Sequence, residues 1–246
     1  MYWGDYSMDS VLFNRLSIEK IYTRKELLSH VSNSVDAAMP SNSFSWILKK
    51  ELAAGRLLHV GRNRYSLNPA FVKDVYTYTL SKPAEKILTI VRSAFPLVSV
   101  LIWEARQYNE FLNHQIGMNT IFLEVEKMFV DAVYELLDTS VKVPVLVHPA
   151  VADFIRYQKE NTVVLIRKTS ESPALKNNPY LPSLEKLLVD MKANKYLRSI
   201  ISPAEMGDVY SQVYGRYLVS TSTLKRYAMR RTAWEKVEAY LPPESR

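Results

Sequence analysis

Two pairs of basic residues in the first quarter of the chain have the spacing of a DNA-binding surface. Arg62 and Arg64 flank Asn63 at the tip of a predicted hairpin, and Lys49 and Lys50 lie on the helical segment before it. Duplex DNA presents dense phosphate charge, so cations on a hairpin and on a neighbouring helix gain binding free energy by releasing counterions. We therefore expect double-stranded DNA to be a partner. The alternative is a solvated charged face on a module that contacts protein.

A second basic cluster lies near the C-terminus. Lys225, Arg226, Arg230 and Arg231 recur at a spacing of four to five residues in a segment with a helical pattern, so they could share one helix face. Such a face would add phosphate contacts or bind an acidic protein, and an ordinary solvated surface explains it equally well. We rank this cluster below the hairpin as a nucleic-acid contact.

Carboxylates at predicted strand ends raise the question of metal-dependent DNA cleavage. Glu124, Glu126 and Lys127 end one predicted strand, and Glu104 closes the strand before it. Two-magnesium nucleases need converging carboxylates and a lysine to hold metal and to stabilise the departing oxygen. In the restriction-endonuclease pattern, however, the lysine lies two residues after the acid, where this chain has Glu126, and Lys127 points the other way. We expect no catalytic residues and no metal site, with a nuclease as the alternative.

Other catalytic signatures are missing from the sequence. The chain has neither a glycine-rich phosphate loop nor the Gly-x-Ser-x-Gly elbow of hydrolases, and its four histidines are dispersed without metal-ligand spacing. It contains no cysteine, which excludes a thiol nucleophile, a disulfide framework and any zinc site built on thiolates. We expect a protein that is not an enzyme and that uses no cofactor.

Three helical patterns precede the hairpin. Residues 8–16 and 23–31 carry apolar residues on helical repeats, and the second pattern opens with the capping-box sequence Thr23-Arg24-Lys25-Glu26. A third helix begins near Ser43 and stops at Gly55. Ser43 and Ser45, near its start, are candidates for groove contacts and equally for helix caps.

The order of these elements predicts a DNA-binding domain. Residues 57–60 and 65–67 are β-forming runs, and Gly61 and Asn63 in the connection between them tolerate the positive φ that a tight hairpin needs. Three helices followed by a basic-tipped hairpin match the winged helix-turn-helix plan, in which the third helix enters a groove and the hairpin touches the adjacent backbone. We expect residues 1–70 to form such a domain.

The remaining residues, 78–246, predict a sheet with helices against it. A helix begins near Ser81 with Pro83 in its first turn, and strand-like runs then alternate with helix-like segments. The expected strands are residues 97–103, 120–125, 143–147 and 162–166, and the expected helices are residues 108–114, 128–137, 151–157, 183–190, 203–213 and 221–240. The fold class is thus α+β or α/β with two domains, the second carrying a helical C-terminal extension.

Composition agrees with a folded protein that favours polyanions. The 246 residues are 48% hydrophobic and carry a formal net charge of +7, enough apolar material for one large core or two modest ones. The most apolar run, residues 95–103, falls well short of the roughly 20 residues that a membrane-spanning helix requires. The first residues lack the pattern of a secretion signal. We expect a cytoplasmic protein without membrane contact.

Several segments together resemble a known family. They are Gly61-Arg62-Asn63-Arg64-Tyr65-Ser66-Leu67, Ile102-Trp103-Glu104, Asn109-Glu110-Phe111, Phe122-Leu123-Glu124-Val125-Glu126-Lys127 and Leu181-Pro182-Ser183-Leu184-Glu185-Lys186-Leu187-Leu188-Val189-Asp190. In this combination the chain is similar to the AbiEi-like antitoxins of type IV toxin–antitoxin systems in bacteria and archaea. The resemblance implies an N-terminal domain that binds DNA and represses its own operon, with the contacts on Lys49, Lys50, Arg62 and Arg64. It also implies a C-terminal domain that opposes a nucleotidyltransferase toxin encoded beside it.

The combined expectation is a transcription regulator of prokaryotes that binds operator DNA and a protein partner. A homodimer would match a palindromic operator. Two alternatives from other classes are a metal-dependent nuclease recruited to DNA by the same winged helix and a module that only binds protein.

Overall fold

The computed structural model of the protein describes residues 16–17, 20–34, 40–69 and 73–242. The chain divides into two compact units. The N-terminal unit runs to Val75 and includes Arg216–Leu218, and the sheet unit comprises Tyr76–Gly215 together with the residues from Val219 onward. Apart from Leu16, the helix expected at residues 8–16 lies outside the described residues.

The N-terminal unit contains two helices and a hairpin. These are α1 (Arg24–Ser34), α2 (Ser41–Ala53) and the antiparallel strands β1 (Leu57–Gly61) and β2 (Arg64–Leu67). Their apolar side chains form one core, in which Leu27, Phe44 and Leu57 are almost wholly buried. The second and third predicted helices and the predicted hairpin are therefore present at their expected positions.

Local sequence signals explain where these helices begin and end. Thr23 and Glu26 form the predicted capping box: the Thr23 backbone N–H donates to Glu26 Oε2 at 2.8 Å, and the Glu26 N–H donates to Thr23 Oγ1 at 3.3 Å. The bond from the Thr23 backbone is the largest cause of the lowered pKa of Glu26, which is about 2. Gly55 has φ 71° just after α2, the left-handed conformation that terminates a helix.

The sheet unit is built on a mixed four-stranded sheet. Its strands are β3 (Val100–Glu104), β4 (Thr120–Val125), β5 (Val145–Val147) and β6 (Thr162–Arg167), arranged in the order β3-β4-β6-β5. β4, β6 and β5 are parallel, whereas β3 is antiparallel to β4. All residues of β3 and β4 are buried, as expected for strands covered on both faces.

Helices cover both faces of this sheet. On one face, α3 (Lys82–Ala94) and α4 (Val130–Ser140) share an apolar cluster with Ile121 and Leu123 of β4. On the opposite face, Tyr196 contacts Phe122 of β4 and Phe154 of α5 (Val151–Tyr157), with ring centroids 6.1 and 5.1 Å apart. That second face also receives α6 (Leu184–Ala193), whose Lys186 reaches Glu124 of β4.

The C-terminal third is largely helical and differs from the expectation in detail. It contains α6, α7 (Leu197–Ile200), α8 (Met206–Arg216), α9 (Thr221–Arg230) and α10 (Trp234–Glu238). The single helix expected over residues 221–240 is wrong, because the chain breaks between α9 and α10, where Thr232 has φ 50°. In the described part of the chain, no helix is both long enough and apolar enough to cross a bilayer.

Two further segments differ from the sequence prediction. The helix expected at residues 108–114 is instead a short 3-10 helix, Ala105–Glu110, which follows β3 directly. A small antiparallel hairpin, β7 (Ala174–Leu175) and β8 (Asn178–Pro182), forms where the pattern predicted no strand. Leu181 of β8 is buried in the cluster beneath α3 and α4, so tertiary packing explains this strand.

Candidate functional site

The outward face of α2 carries three of the seven residues predicted to contact DNA, namely Ser43, Lys49 and Lys50. Phe44, Ile47 and Leu48 turn inward, which leaves Ser43, Trp46, Lys49 and Lys50 exposed. Trp46 is 64% exposed, and the Lys50 ammonium lies 5.4 Å from its ring centroid. Sequence reasoning missed Trp46; the available signal was a large aromatic residue off the apolar stripe of the helix.

The hairpin tip presents two more cations. Arg62 and Arg64 are exposed on either side of Asn63, which adopts φ 55° in the turn. Asparagine tolerates this left-handed conformation better than most residues. The turn therefore carries both guanidinium groups into solvent, as the sequence predicted.

A network centred on Arg24 ties the hairpin tip to the two helices. The Arg24 backbone N–H donates to Asn63 Oδ1 at 3.1 Å, and its guanidinium donates to Ser45 Oγ at 2.7 Å. The same guanidinium lies over the Phe44 ring, 5.6 Å from the centroid. Ser45 in turn donates to the Ser41 carbonyl at 2.8 Å. Ser45 and the Asn63 side-chain oxygen thus have partners within the protein, and their role in this structure is to position the tip beside the first turn of α2.

A largely buried ion pair sets the path from α2 into the hairpin. Arg56 donates from Nε and Nη2 to the two carboxylate oxygens of Glu51, at 2.6 and 2.7 Å. The side chain of Glu51 is 5% exposed and that of Arg56 is 29% exposed. Bidentate pairing of this kind gives a defined geometry to the chain reversal.

The second basic cluster does not form one face. Lys225 lies over the Trp234 ring at 4.8 Å, Arg226 is 3.9 Å from Glu171, and Arg230 donates to Ser170. Arg231 follows the end of α9 and points inward, where it pairs with Asp190 at 3.1 Å and its side chain is only 20% exposed. Arg231, which the helical repeat placed on one face with the other three cations, is therefore largely buried.

The two strand-end carboxylates considered for a nuclease, Glu104 and Glu124, lie at opposite ends of the paired strands β3 and β4. Because β3 and β4 are antiparallel, Glu104 pairs in register with Ile121, whereas Glu124 pairs with Leu101. Glu104 is 1% exposed and accepts hydrogen bonds from Tyr78, Ser81 and Asn119. It thus anchors the segment before α3, and the geometry does not bring it together with Glu124.

Glu124 belongs to a buried charge network that sequence reasoning missed. Its Oε1 accepts from Trp103 Nε1 at 2.8 Å and from Lys186 Nζ at 2.6 Å. Lys186 also donates to Asp190, one turn later on α6, and Asp190 pairs with Arg231. The network therefore contains two carboxylates and two cations, so its charges balance.

Electrostatics keep the Lys186 ammonium group charged. Burial opposes the charge on Lys186, but the carboxylates of Asp190 and Glu124 outweigh it and raise the pKa of Lys186 above its usual value. The available sequence signal was a lysine and an aspartate four residues apart inside the apolar run Leu184–Met191, all of which is buried. Within the described residues, no group of three histidine, aspartate or glutamate side chains could hold a metal ion.

Glu126 and Lys127 lie beyond the end of β4 and line an open cavity. The Ser99 backbone N–H donates to Glu126 Oε1 at 2.9 Å, and Lys127 is exposed. Glu126 is only partly buried and Glu124 is engaged by Lys186, so these neighbouring acids face different surroundings.

The architecture is that of a two-unit α/β protein, with a small helical unit that ends in a basic hairpin and a larger unit built on a mixed sheet. The chain belongs to a family of unknown function, DUF6577, which matches residues 43–245. The match begins in α2 and continues through the hairpin and the sheet unit, so both units contribute to the family's common sequence. No curated protein matches the chain.

Proposed function

We propose that the protein is a transcription regulator that binds double-stranded DNA through α2 and the hairpin of its N-terminal unit. In this proposal, which includes the winged helix-turn-helix plan, α2 is the recognition helix and the hairpin is the wing. The observation that carries the proposal is the attachment of the exposed hairpin tip, through Asn63 and Arg24, to the first turn of α2. Helix and hairpin can then engage neighbouring parts of one duplex.

The charges and shapes of this surface support DNA as the ligand. Lys49, Lys50, Arg62 and Arg64 are all exposed, so α2 and the hairpin tip together present four cations to solvent. Trp46 adds a flat exposed ring between the lysines and the start of the helix. Cations supply phosphate contacts, and side chains on the exposed helix face supply base contacts.

The test is a binding titration with a labelled duplex from the region upstream of the protein's own gene. The double variant Arg62→Glu/Arg64→Glu should bind at least about tenfold more weakly, and the slope of log affinity against log salt should fall by about two units, because each phosphate contact contributes about 0.9. The matched control is Lys86→Glu/Lys236→Glu, which makes the same charge change at two exposed lysines of the sheet unit. Equal losses in the two double variants would overturn the assignment of the interface.

The resemblance to AbiEi-like antitoxins extends the proposal to the sheet unit. In this extension the protein represses its own operon, and the sheet unit opposes a nucleotidyltransferase toxin encoded by the neighbouring gene. Co-expression of the two genes should restore growth that the neighbour alone arrests. The Arg62→Glu/Arg64→Glu variant should still restore growth while losing repression, because its changes lie in the other unit.

The alternatives predict different results in the same assays. A module that only binds protein would bind no duplex even at low salt. A nuclease would cut supercoiled DNA in magnesium or manganese, and Glu124→Ala would abolish cutting. The geometry does not favour the nuclease, because Glu124 is paired with Lys186 and lies at the opposite end of the paired strands from Glu104.

A further inference from the structure

A cavity lies at the carboxyl ends of the two central parallel strands, β4 and β6. It is lined by Glu126 and Lys127 after β4, by residues 168–172 after β6 and by Ser99 before β3, and its volume is about 360 Å³. The helix that follows β4 is α4, which packs on one face of the sheet. The first helix after β6 is α6, which packs on the other. Such a point, where successive connections leave for opposite faces, is the usual ligand position in open α/β sheets.

We propose that this cavity binds a small molecule that carries a phosphate group, of about the size of a nucleoside monophosphate. The site would give the regulator a ligand-responsive sheet unit, and it is independent of the DNA-binding surface. Three features of the cavity support the proposal: its hydroxyl groups, its charge and its size.

The cavity presents three hydroxyl groups as hydrogen-bond donors. Lys168 donates to Ser99 Oγ, the Arg230 Nε donates to Ser170 Oγ at 2.8 Å, and the Arg231 Nη1 donates to Thr169 Oγ1 at 3.3 Å. A hydroxyl group whose lone pair accepts from a cation still has its single proton to donate. Ser99 and Ser170 are exposed, so a ligand can take the place of water as the acceptor of their protons. The cavity wall therefore suits a ligand that accepts hydrogen bonds. A phosphate group is such a ligand.

The charge around the cavity is positive. Lys127 and Lys168 line it, and Arg226 and Arg230 lie against residues of its wall, which makes four cations in addition to Arg231, whose charge is balanced by Asp190. The two carboxylates of the wall already have partners. Glu126 accepts from the Ser99 N–H, and Glu171 is 3.9 Å from Arg226. The balance of four cations and two carboxylates favours a doubly charged anion.

Lys168 is the residue on which anion binding should depend most. Its burial and the nearby Lys186 lower its pKa, although Glu124 and Glu126 oppose this effect. A bound phosphate would stabilise the charged ammonium group of Lys168. The two groups would form a short ion pair that is partly shielded from water.

The size of the cavity leaves room for more than a phosphate group. Its volume is about 360 Å³, and small-molecule pockets typically have volumes of about 300–1,000 Å³. The cavity therefore has room for a phosphate together with a group of the size of a nucleoside.

Isothermal titration calorimetry of the full chain with adenosine 5′-monophosphate, adenosine and inorganic phosphate tests the proposal. We expect the monophosphate to bind at least about tenfold more tightly than adenosine, and inorganic phosphate to compete with it. The variants Lys168→Met and Ser170→Ala should each weaken monophosphate binding about tenfold or more. The control Lys176→Met, at an exposed lysine between β7 and β8, should leave it unchanged. Ser170→Ala is a small change at an exposed residue, which keeps the test valid should Lys168→Met fail to fold.

Further arms separate the sources of phosphate and separate this proposal from DNA binding. A short single strand of DNA with a 5′-phosphate should bind no more tightly than the monophosphate; much tighter binding would assign the cavity to nucleic acid and overturn the proposal. Equal affinity for adenosine and its monophosphate would overturn it as well, as would the absence of binding by both phosphate probes. The Arg62→Glu/Arg64→Glu variant should bind the monophosphate as the wild type does, whatever its affinity for duplex DNA.

Discussion

Asn63 at the tip of the hairpin caps the first turn of α1, because its side-chain oxygen accepts a hydrogen bond from the backbone N–H of Arg24 at 3.1 Å. The residue has two separable roles: it makes this bond, and it holds the turn at φ 55°. Both roles position the guanidinium groups of the neighbouring residues, Arg62 and Arg64. The hairpin is thus an integral part of the N-terminal unit.

Two substitutions at Asn63 should separate these roles. Asn63→Gly keeps the turn conformation and loses the bond, so we expect a cost of about 1 kcal/mol in the free energy of unfolding. Asn63→Ala also loses the bond and keeps a Cβ in the left-handed region, without the amide side chain that makes asparagine tolerate it, so it should cost about 1 kcal/mol more than Asn63→Gly. Urea denaturation monitored at the amides of α1 measures both. Equal costs would show that the turn conformation contributes nothing.

The ion pair between Glu51 and Arg56 should stabilise the N-terminal unit. Arg56→Ala leaves the buried Glu51 carboxylate unpaired, and we expect it to cost about 2–3 kcal/mol, somewhat less than for a fully buried pair because Arg56 is partly exposed. Lys20→Ala is the control, since its ion pair with Glu26 joins two exposed side chains and should contribute much less to the stability. Chemical denaturation of both variants provides the comparison, and similar costs would contradict the expectation.

The buried network around Lys186 should be cooperative. Lys186→Met removes the cation between Glu124 and Asp190, and we expect a cost of about 3–5 kcal/mol in the sheet unit. The triple variant Lys186→Met/Glu124→Gln/Asp190→Asn removes the charges together and should recover a large part of that loss. Thermal and denaturant unfolding measure the effect. A triple variant less stable than Lys186→Met would show that the three charged groups contribute independently to the stability of the sheet unit.

The capping box predicts a loss of stability in acid. Because the Thr23 backbone N–H holds the pKa of Glu26 near 2, below its usual 4.5, the carboxylate's contribution is fully present above about pH 4.5. It is lost as the pH falls from about 4.5 towards 2. Glu26→Gln should remove this part of the pH dependence. Unfolding midpoints of both proteins across this range measure it, and parallel profiles would rule out the contribution.

Local features of the fold were predictable because they depend on residues within about one turn of each other. The capping box at Thr23, the end of α2 at Gly55 and the start of α3 with Pro83 in its first turn all have short-range causes. The limits of β4 were also predictable, since Thr120–Val125 is an apolar run of strand length. In contrast, β3 begins at Val100 although the apolar pattern starts earlier, and Leu97 is exposed.

The candidate sites show the same division. By itself, the sequence determined that Arg62 and Arg64 flank an asparagine able to turn the chain, so their exposure followed from local conformation. Only the tertiary structure decided that Glu104 and Glu124 lie at opposite ends of the paired strands β3 and β4, because strand direction depends on pairing between distant segments. It likewise decided that Lys186 on α6 balances Glu124 on β4, and that Ser99 meets Lys168 beside a cavity. Glu124 and Lys186 are separated by 62 positions in the sequence, and Ser99 and Lys168 by 69. At such separations, spacing along the chain carries no geometric information.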